Sequence, residues 1–145
     1  MQKVFIASDH ADINFKSEII NYLSSDYEVI NLGTDTVDSV DYPDFAQKLC
    51  REVLNNPGSK GILFCGTGIG MSIAANRFKG IRAALCHSEE YAKLSREHND
   101  ANVLCLGARF LEIELAKIII KVWLHTDFAG DRHQRRLEKI EDFTN

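Results

Sequence analysis

No stretch of this chain approaches the ~20 consecutive apolar residues that a membrane-spanning helix needs, so a membrane partner is not expected. The apolar run nearest the N-terminus, residues 4–7, is broken at once by Ser8, Asp9 and His10, which argues against a secretory signal. Basic residues are not in excess. Against 21 Asp and Glu stand 17 Lys and Arg, a net charge of −4, without the positive footprint of a nucleic-acid binder. The four cysteines, Cys50, Cys65, Cys86 and Cys105, form no CxxC pair and read as free thiols in a reducing cytoplasm. His10, His87, His98, His125 and His133 show no HxH, HExxH or His/Cys ligand spacing, so no metal is inferred. There is no internal repeat, linker or low-complexity tract.

What is present is an ordinary globular composition, 45% hydrophobic and 26% charged, enough for one domain over 1–145 with a full core of its own. Short β-branched runs alternate with longer stretches of helical periodicity. Strands are expected over 4–7, 27–32, 61–65, 81–86 and 102–106. Helices are expected over 13–23, 43–54, 71–78, 88–97 and 111–124, with a last charged helix over about 131–142. This alternation means βαβ units: an α/β fold, a three-layer α/β/α sandwich around a five-stranded, mainly parallel Rossmann-like sheet. Sites in such folds lie beyond the carboxyl ends of the strands, near a topological switch point. The residues placed there are Ser8-Asp9-His10, Gly33 onward, Cys65 to Gly70, His87-Ser88 and Gly107-Ala108-Arg109.

Of these, Cys65-Gly66-Thr67-Gly68-Ile69-Gly70-Met71 carries the most information. Three alternating glycines let the backbone approach a ligand and turn successive N–H groups toward an anion at a helix start. The Gly-Lys-Ser/Thr ending of a P-loop is missing, and the GxGxxG spacing fails, so nucleotide binding is not supported. A merely tight turn is the plain alternative. Cys65 at the mouth of the loop, where a helix N-terminus favours the thiolate and lowers the thiol's pKa, shifts the odds away from a mere turn. Cys50, Cys86 and Cys105 read as inert core thiols. Asp9 and His10 face the same crevice, although a polar pair after a strand is often just a helix cap. His98, ending a helix before Asn99 and Asp100, has a similar plain reading as a favourable charge at a helix C-terminus. Arg132 and Arg136, spaced i and i+4 in the one concentrated basic cluster, can clamp a phosphate, with Arg109 joining them. Otherwise they form a solvated face paired with Glu138, Glu141 and Asp142.

Taken together, Ser8-Asp9-His10-Ala11, Asp41-Tyr42-Pro43-Asp44-Phe45, the run from Cys65 to Asn76, His98-Asn99-Asp100-Ala101-Asn102 and Arg132-His133-Gln134-Arg135-Arg136 resemble the type B ribose-5-phosphate isomerase family. That family also includes allose-6-phosphate and galactose-6-phosphate isomerases, and the resemblance covers essentially the whole chain. It implies a cytoplasmic enzyme of pentose phosphate metabolism that isomerises an aldose to a ketose through a cis-enediolate, without metal or organic cofactor. By position it implies Cys65 as the base, with Thr67 beside it, and His98 as the group that opens the sugar ring. Asp9 and His10 hold the sugar, and Asn99 binds a hydroxyl. The amides of Gly66, Thr67, Gly68, Ile69 and Gly70 meet the enediolate oxygen, and Arg109, Arg132 and Arg136 hold the phosphate.

The resemblance further implies a homodimer or tetramer with shared sites, the C-terminal helix packing on the partner. The apolar load of residues 111–124 points to the same surface, since it exceeds one core-facing stripe. Some family members place a glutamate in the loop as base; here Met71 fills that position and Cys65 is present. Two departures add carboxylates near the phosphate region: Asp12 and Asp131 replace the family's usual glycines. The substrate alternatives at this point are ribose 5-phosphate, a six-carbon sugar phosphate, or a sugar phosphate held without catalysis.

Overall fold

The structure is a computed structural model that describes residues 1–143; the last two positions of the expected 1–145 domain lie outside the described residues. Five strands, β1 (Lys3–Ser8), β2 (Glu28–Asn31), β3 (Lys60–Cys65), β4 (Ala83–Leu85) and β5 (Val103–Gly107), form one sheet in the order β2-β1-β3-β5-β4. Every pairing is parallel. Parallel strands need crossovers, which α1 (Ile13–Leu23), α2 (Tyr42–Asn55), α3 (Ile69–Ala75) and α4 (Glu89–Glu97) supply. Two further helices follow, α5 (Ile113–His125) and α6 (Arg132–Asp142).

Alternation along the central strands builds two cores. Val4, Ile6, Ile62, Phe64, Leu104 and Leu106 point to one face, where they meet α1, α4 and α5. Phe5, Ala7, Leu63, Cys65, Val103 and Cys105 point to the other, against α2 and α3. Because both faces are covered, these strands are apolar throughout rather than half polar. The three-layer arrangement follows directly.

Local departures from the expected boundaries have local causes. The strand expected over 81–86 shortens to three residues, Ala83–Leu85, and the Arg82 N–H ahead of it is taken by a side chain. Asn102 Oδ1 accepts from the Arg82 N–H at 2.8 Å, and Asn76 bonds both the N–H and the C=O of Ala83. The same Asn76 contacts draw the chain away after Ala75, so the helix expected over 71–78 stops early. It also starts two residues sooner, with Gly68 (φ 80°) as its left-handed N-cap. Ser88 does cap α4, accepting from the Tyr91 N–H at 3.2 Å.

The helix expected over 111–124 starts at Ile113, after a 3₁₀ turn at Ala108–Phe110. Its apolar load is mostly absorbed by the core. Ala116, Ile119, Ile120, Trp123 and Leu124 are buried, and only Leu115 (38%) and Ile118 (45%) stand as large exposed apolar groups on it. More apolar surface lies elsewhere, at Phe110 (75%), Ile69 (52%) and Tyr91 (56%).

Candidate active site

The switch point falls between β1 and β3, because the chain goes from β1 to one side and returns to β3 on the other. The Asp9 N–H donates to the Phe64 carbonyl at 3.2 Å, which places Asp9 and His10 beside the loop that follows Cys65. Cys65 is buried at the last position of β3, and its Sγ accepts from the Gly68 N–H at 3.1 Å. This turn requires Gly68: a Cβ there would sit 2.9 Å from the Leu106 carbonyl carbon, in a left-handed conformation. Thr67 Oγ1 accepts from the Ile69 N–H at 3.1 Å. Two of the five amides in the loop are therefore engaged within it. Among the described residues, those of Gly66, Thr67 and Gly70 have no protein partner.

Arg109 closes one side of the loop. Its N–H donates to the Gly66 carbonyl at 3.1 Å, and its guanidinium lies so close over Gly66 that a Cβ there would stand 3.2 Å from Cζ. The guanidinium makes no ion pair among the described residues. It is an exposed cation at the mouth of the crevice, available to an anion.

Asp9 does act as a cap, Oδ1 accepting from the Ala11 N–H at 3.0 Å. His10 Nδ1 accepts from the Val40 N–H at 3.2 Å, which leaves Nε2 as the donor of the neutral ring. That contact depends on the loop after β2, which Lys16 ties down from the interior. The Lys16 ammonium is fully buried and donates to Asn31 Oδ1 (2.9 Å), the Thr34 carbonyl and Asp35 Oδ1 (2.8 Å). The ammonium and Asn31 bonds hold the Asp35 carboxyl below its ordinary range.

Asp12 turns inward. Its carboxyl is buried with Oδ2 unpartnered, and its pKa is pushed up to about 7. Burial is the largest cause, then the hydrogen bond and charge of Asp9, with the Arg109 cation pulling the other way. Asp131 instead stays exposed ahead of α6 with φ 58°.

The other candidates are at the opposite end of the sheet. α4 runs against the strands, so its C-terminus lies near their amino ends. The Arg82 guanidinium there holds the Asn99 and Asp100 carbonyls and the Glu141 carboxylate of α6. The Ala129 N–H donates to the Glu97 carbonyl at 3.0 Å, which brings α6 beside His98. His98 stacks on His133 with ring centroids 4.2 Å apart and planes 17° from parallel. Arg132 and Arg136 are exposed on the same helix. Of the expected acidic partners, Glu141 pairs with Arg82 instead.

Within one chain the candidates thus form two groups. Asp9, His10, Cys65, Gly66, Thr67, Gly68, Ile69, Gly70 and Arg109 converge at the carboxyl ends. His98, Asn99, Arg132 and Arg136 converge at the amino ends, and Arg109 does not join them. The four steps of β5 alone separate the two ends by roughly 13 Å. Cys65 and His98 of one chain do not meet on one substrate.

The model of the family described as Ribose/Galactose Isomerase matches residues 4–140. The chain belongs to that family. A ribose-5-phosphate isomerase B of Escherichia coli is 45% identical over 141 residues, spanning 97% of this chain and 95% of the relative. The solved ribose-5-phosphate isomerase B of Clostridium thermocellum superposes with a TM-score of 0.95 at 48% identity, over 98% of this chain and 97% of that one. A Mycoplasma genitalium ribose-5-phosphate isomerase B, solved with bound ribulose-5-phosphate, superposes with a TM-score of 0.93 at 43% identity, over 97% and 95% of the two chains.

Family membership and the α/β/α architecture therefore agree with the sequence reading. Among the described residues, no group of three or more His, Cys, Asp or Glu side chains is arranged to hold a metal ion. No described helix is long and apolar enough to cross a membrane. Two residues gain weight from the structure. Tyr42, read from sequence only as part of the run Asp41-Tyr42-Pro43-Asp44-Phe45, presses its ring on Gly70, where a Cβ would sit 2.7 Å from its hydroxyl. His133, read only as part of a basic cluster, lies under His98. The sequence signal for Tyr42 was its place next to Pro43 in the DYPD motif; for His133 there was none beyond the arginines beside it.

Proposed function

We propose that the chain interconverts D-ribose 5-phosphate and D-ribulose 5-phosphate through a cis-enediolate, with Cys65 as the base. The observation that carries this reading is the seating of the Cys65 sulfur on the Gly68 amide, under the same loop that Arg109 covers. The base removes the proton from C2 of the open-chain aldose. The electron pair moves into the C1–C2 bond and the carbonyl oxygen becomes the enediolate oxygen. Within the cis-enediolate the proton on O2 passes to O1, the base returns its own proton to C1 as the C2–O bond becomes a carbonyl, and the ketose forms. Free amides at Gly66, Thr67 and Gly70 are donors for that oxygen, and losing one such donor typically costs about 3–4 kcal/mol of transition-state stabilisation. Thr67 keeps the loop in shape beside the base, Asp9 and the His10 Nε2 hold sugar hydroxyls, and the phosphate anchors the small reacting end.

The remaining roles fall to a second copy of the chain. His98 of that copy opens the furanose by moving a proton from the anomeric hydroxyl to the ring oxygen, Asn99 binds a hydroxyl, and Arg132 and Arg136 join Arg109 on the phosphate. A two-fold axis perpendicular to the strands exchanges their carboxyl and amino ends, so one homodimer completes two sites at once. The surface suited to that axis lies between the two half-sites along the edge of β4. It is a groove of about 460 Å³ that runs from Asn99 past Leu94 and Tyr91 to Leu85 and Cys86. From Leu85 and Cys86 it continues toward Ile69 and Phe110 at the loop. This is a different face from the helix singled out by sequence. The outer face of α6, with Arg132 and Arg136, then looks onto the partner.

The deciding assay measures interconversion of ribose 5-phosphate and ribulose 5-phosphate, beside allose 6-phosphate and galactose 6-phosphate, before and after thorough chelation. Pentose turnover that survives chelation is expected. Turnover of a hexose phosphate alone moves the substrate class, and none on any sugar phosphate refutes the enzyme reading.

A further inference from the structure

We infer that His133 is a positioning residue for His98: a stacked imidazole platform that fixes the plane in which His98 exchanges a proton with the sugar ring. This rests on the isomerase reading above and adds to it a residue that reading does not use.

A histidine that moves protons is ordinarily aimed by a hydrogen bond to one ring nitrogen. His98 has none. Among the described residues, neither of its ring nitrogens bonds to protein, and its recorded ring contact is the stack on His133 at 4.2 Å and 17°. The platform itself is well anchored. His133 is 8% exposed on the first turn of α6 and its N–H donates to the Gly130 carbonyl at 3.1 Å. The helix is pinned further along by buried Leu137 and by the Glu141 carboxylate, which accepts from the Arg82 guanidinium and the Gly80 N–H. One face of His98 is thereby covered and its plane set, while both nitrogens remain open at the ring edge.

A platform of this kind works only if it does not compete for the proton. His133 is faced by His98 from α4 and by Arg132, Arg136 and Asp131 around its own helix. Burial above all, then the charges of His98, Arg132 and Arg136, hold its imidazole below the ordinary histidine range, with Asp131 opposing them. The neutral form of the ring is thus favoured beside two arginines that a phosphate would engage. Its contribution is a flat face.

The test compares His133→Gln, which keeps bulk and polarity but no aromatic face, with His133→Phe, which keeps the face and has no proton to give. Each is assayed on ribose 5-phosphate and on 4-deoxyribose 5-phosphate, an open-chain aldose lacking the hydroxyl that closes the ring. A group displaced by about 1 Å can lose up to about a hundredfold, so His133→Gln is expected to lower kcat on ribose 5-phosphate roughly 10- to 100-fold with KM little changed. On the open-chain substrate the loss is expected to stay below about threefold, because proton abstraction does not use His98. His133→Phe is expected to retain most of the wild-type kcat on both. Equal losses on the two substrates show a structural role and overturn the inference. So do a Phe variant as impaired as Gln, and a Gln variant as active as wild type. If wild-type protein turns over no ribose 5-phosphate, the isomerase reading fails; if His98→Asn is equally impaired on both substrates, the ring-opening role of His98 fails.

Discussion

The two ends of this sheet carry different kinds of chemistry. At the carboxyl ends the functional groups are mostly backbone: a glycine loop held by Cys65 and Thr67, with one mobile-length cation, Arg109, above it. At the amino ends they are side chains on two helices, His98 and His133 face to face with Arg132 and Arg136 alongside. The first end can stabilise a developing negative oxygen because peptide amides cannot swing away from it. The second can capture a phosphate and move a proton, which suits longer groups. Each end lacks what the other has. On the function proposed above, two complementary half-sites on opposite ends call for another copy, inverted, to complete each of them.

The sharpest way to break this comparison is Cys65→Ala. Removing a catalytic base typically costs 10²–10⁴-fold, and kcat on ribose 5-phosphate is expected to fall by about that much while substrate still binds. Near-normal turnover would mean the carboxyl end does not hold the base.

Complementation comes next. Cys65→Ala and Arg136→Ala proteins, each nearly inactive, are dissociated, mixed in equal amounts and reassociated. Half of the random dimers are mixed, and each mixed dimer has one intact site, so activity is expected to return to roughly a quarter of wild type. No recovery after verified exchange would place both residues in one chain's site, and a monomer by sedimentation would remove the premise.

A smaller effect concerns the carboxylate that departs from the family pattern. The Asp12 carboxyl is lifted from 3.8 to about 7, so between those values the folded chain keeps a proton that the unfolded chain has released. Stability is therefore expected to fall as pH rises from about 4 to about 7, by on the order of 2–4 kcal/mol, and then to level off. Asp12→Asn is expected to remove that fall, read as denaturant midpoints across the pH series. An unchanged pH dependence would show that Asp12 ionises freely and that Arg109 is not facing a buried acid.

The smallest effects belong to the other cysteines. Burial pushes Cys50 up to about 12 and Cys86 to about 11, and Cys105 well above its ordinary value. Replacing any of them with alanine is expected to cost about 1 kcal/mol or a little more in stability, with activity within about twofold. Alkylation that inactivates the enzyme through one of these three, while Cys65 stays intact, would contradict the division of roles.

Much of this was legible in the amino-acid sequence. The alternation of apolar runs and helical periods determined the α/β class, because burial on both faces of a parallel sheet leaves a signature in consecutive residues. Ser88 as a cap, Pro43 at a helix start and the glycine loop after Cys65 are likewise local, since a cap or a tight turn is made by neighbours within a few positions. The tertiary structure alone decided what those residues do together. Strand order set Asp9 beside the Cys65 loop and carried His98 to the far end. Packing turned Asp12 inward next to Asp9, and absorbed most of the apolar load of α5, whose excess had pointed to an interface. It also brought His133, thirty-five positions away along the chain, under the ring of His98. These are long-range consequences of which strands pair and which helix faces bury, and no window of consecutive residues contains them.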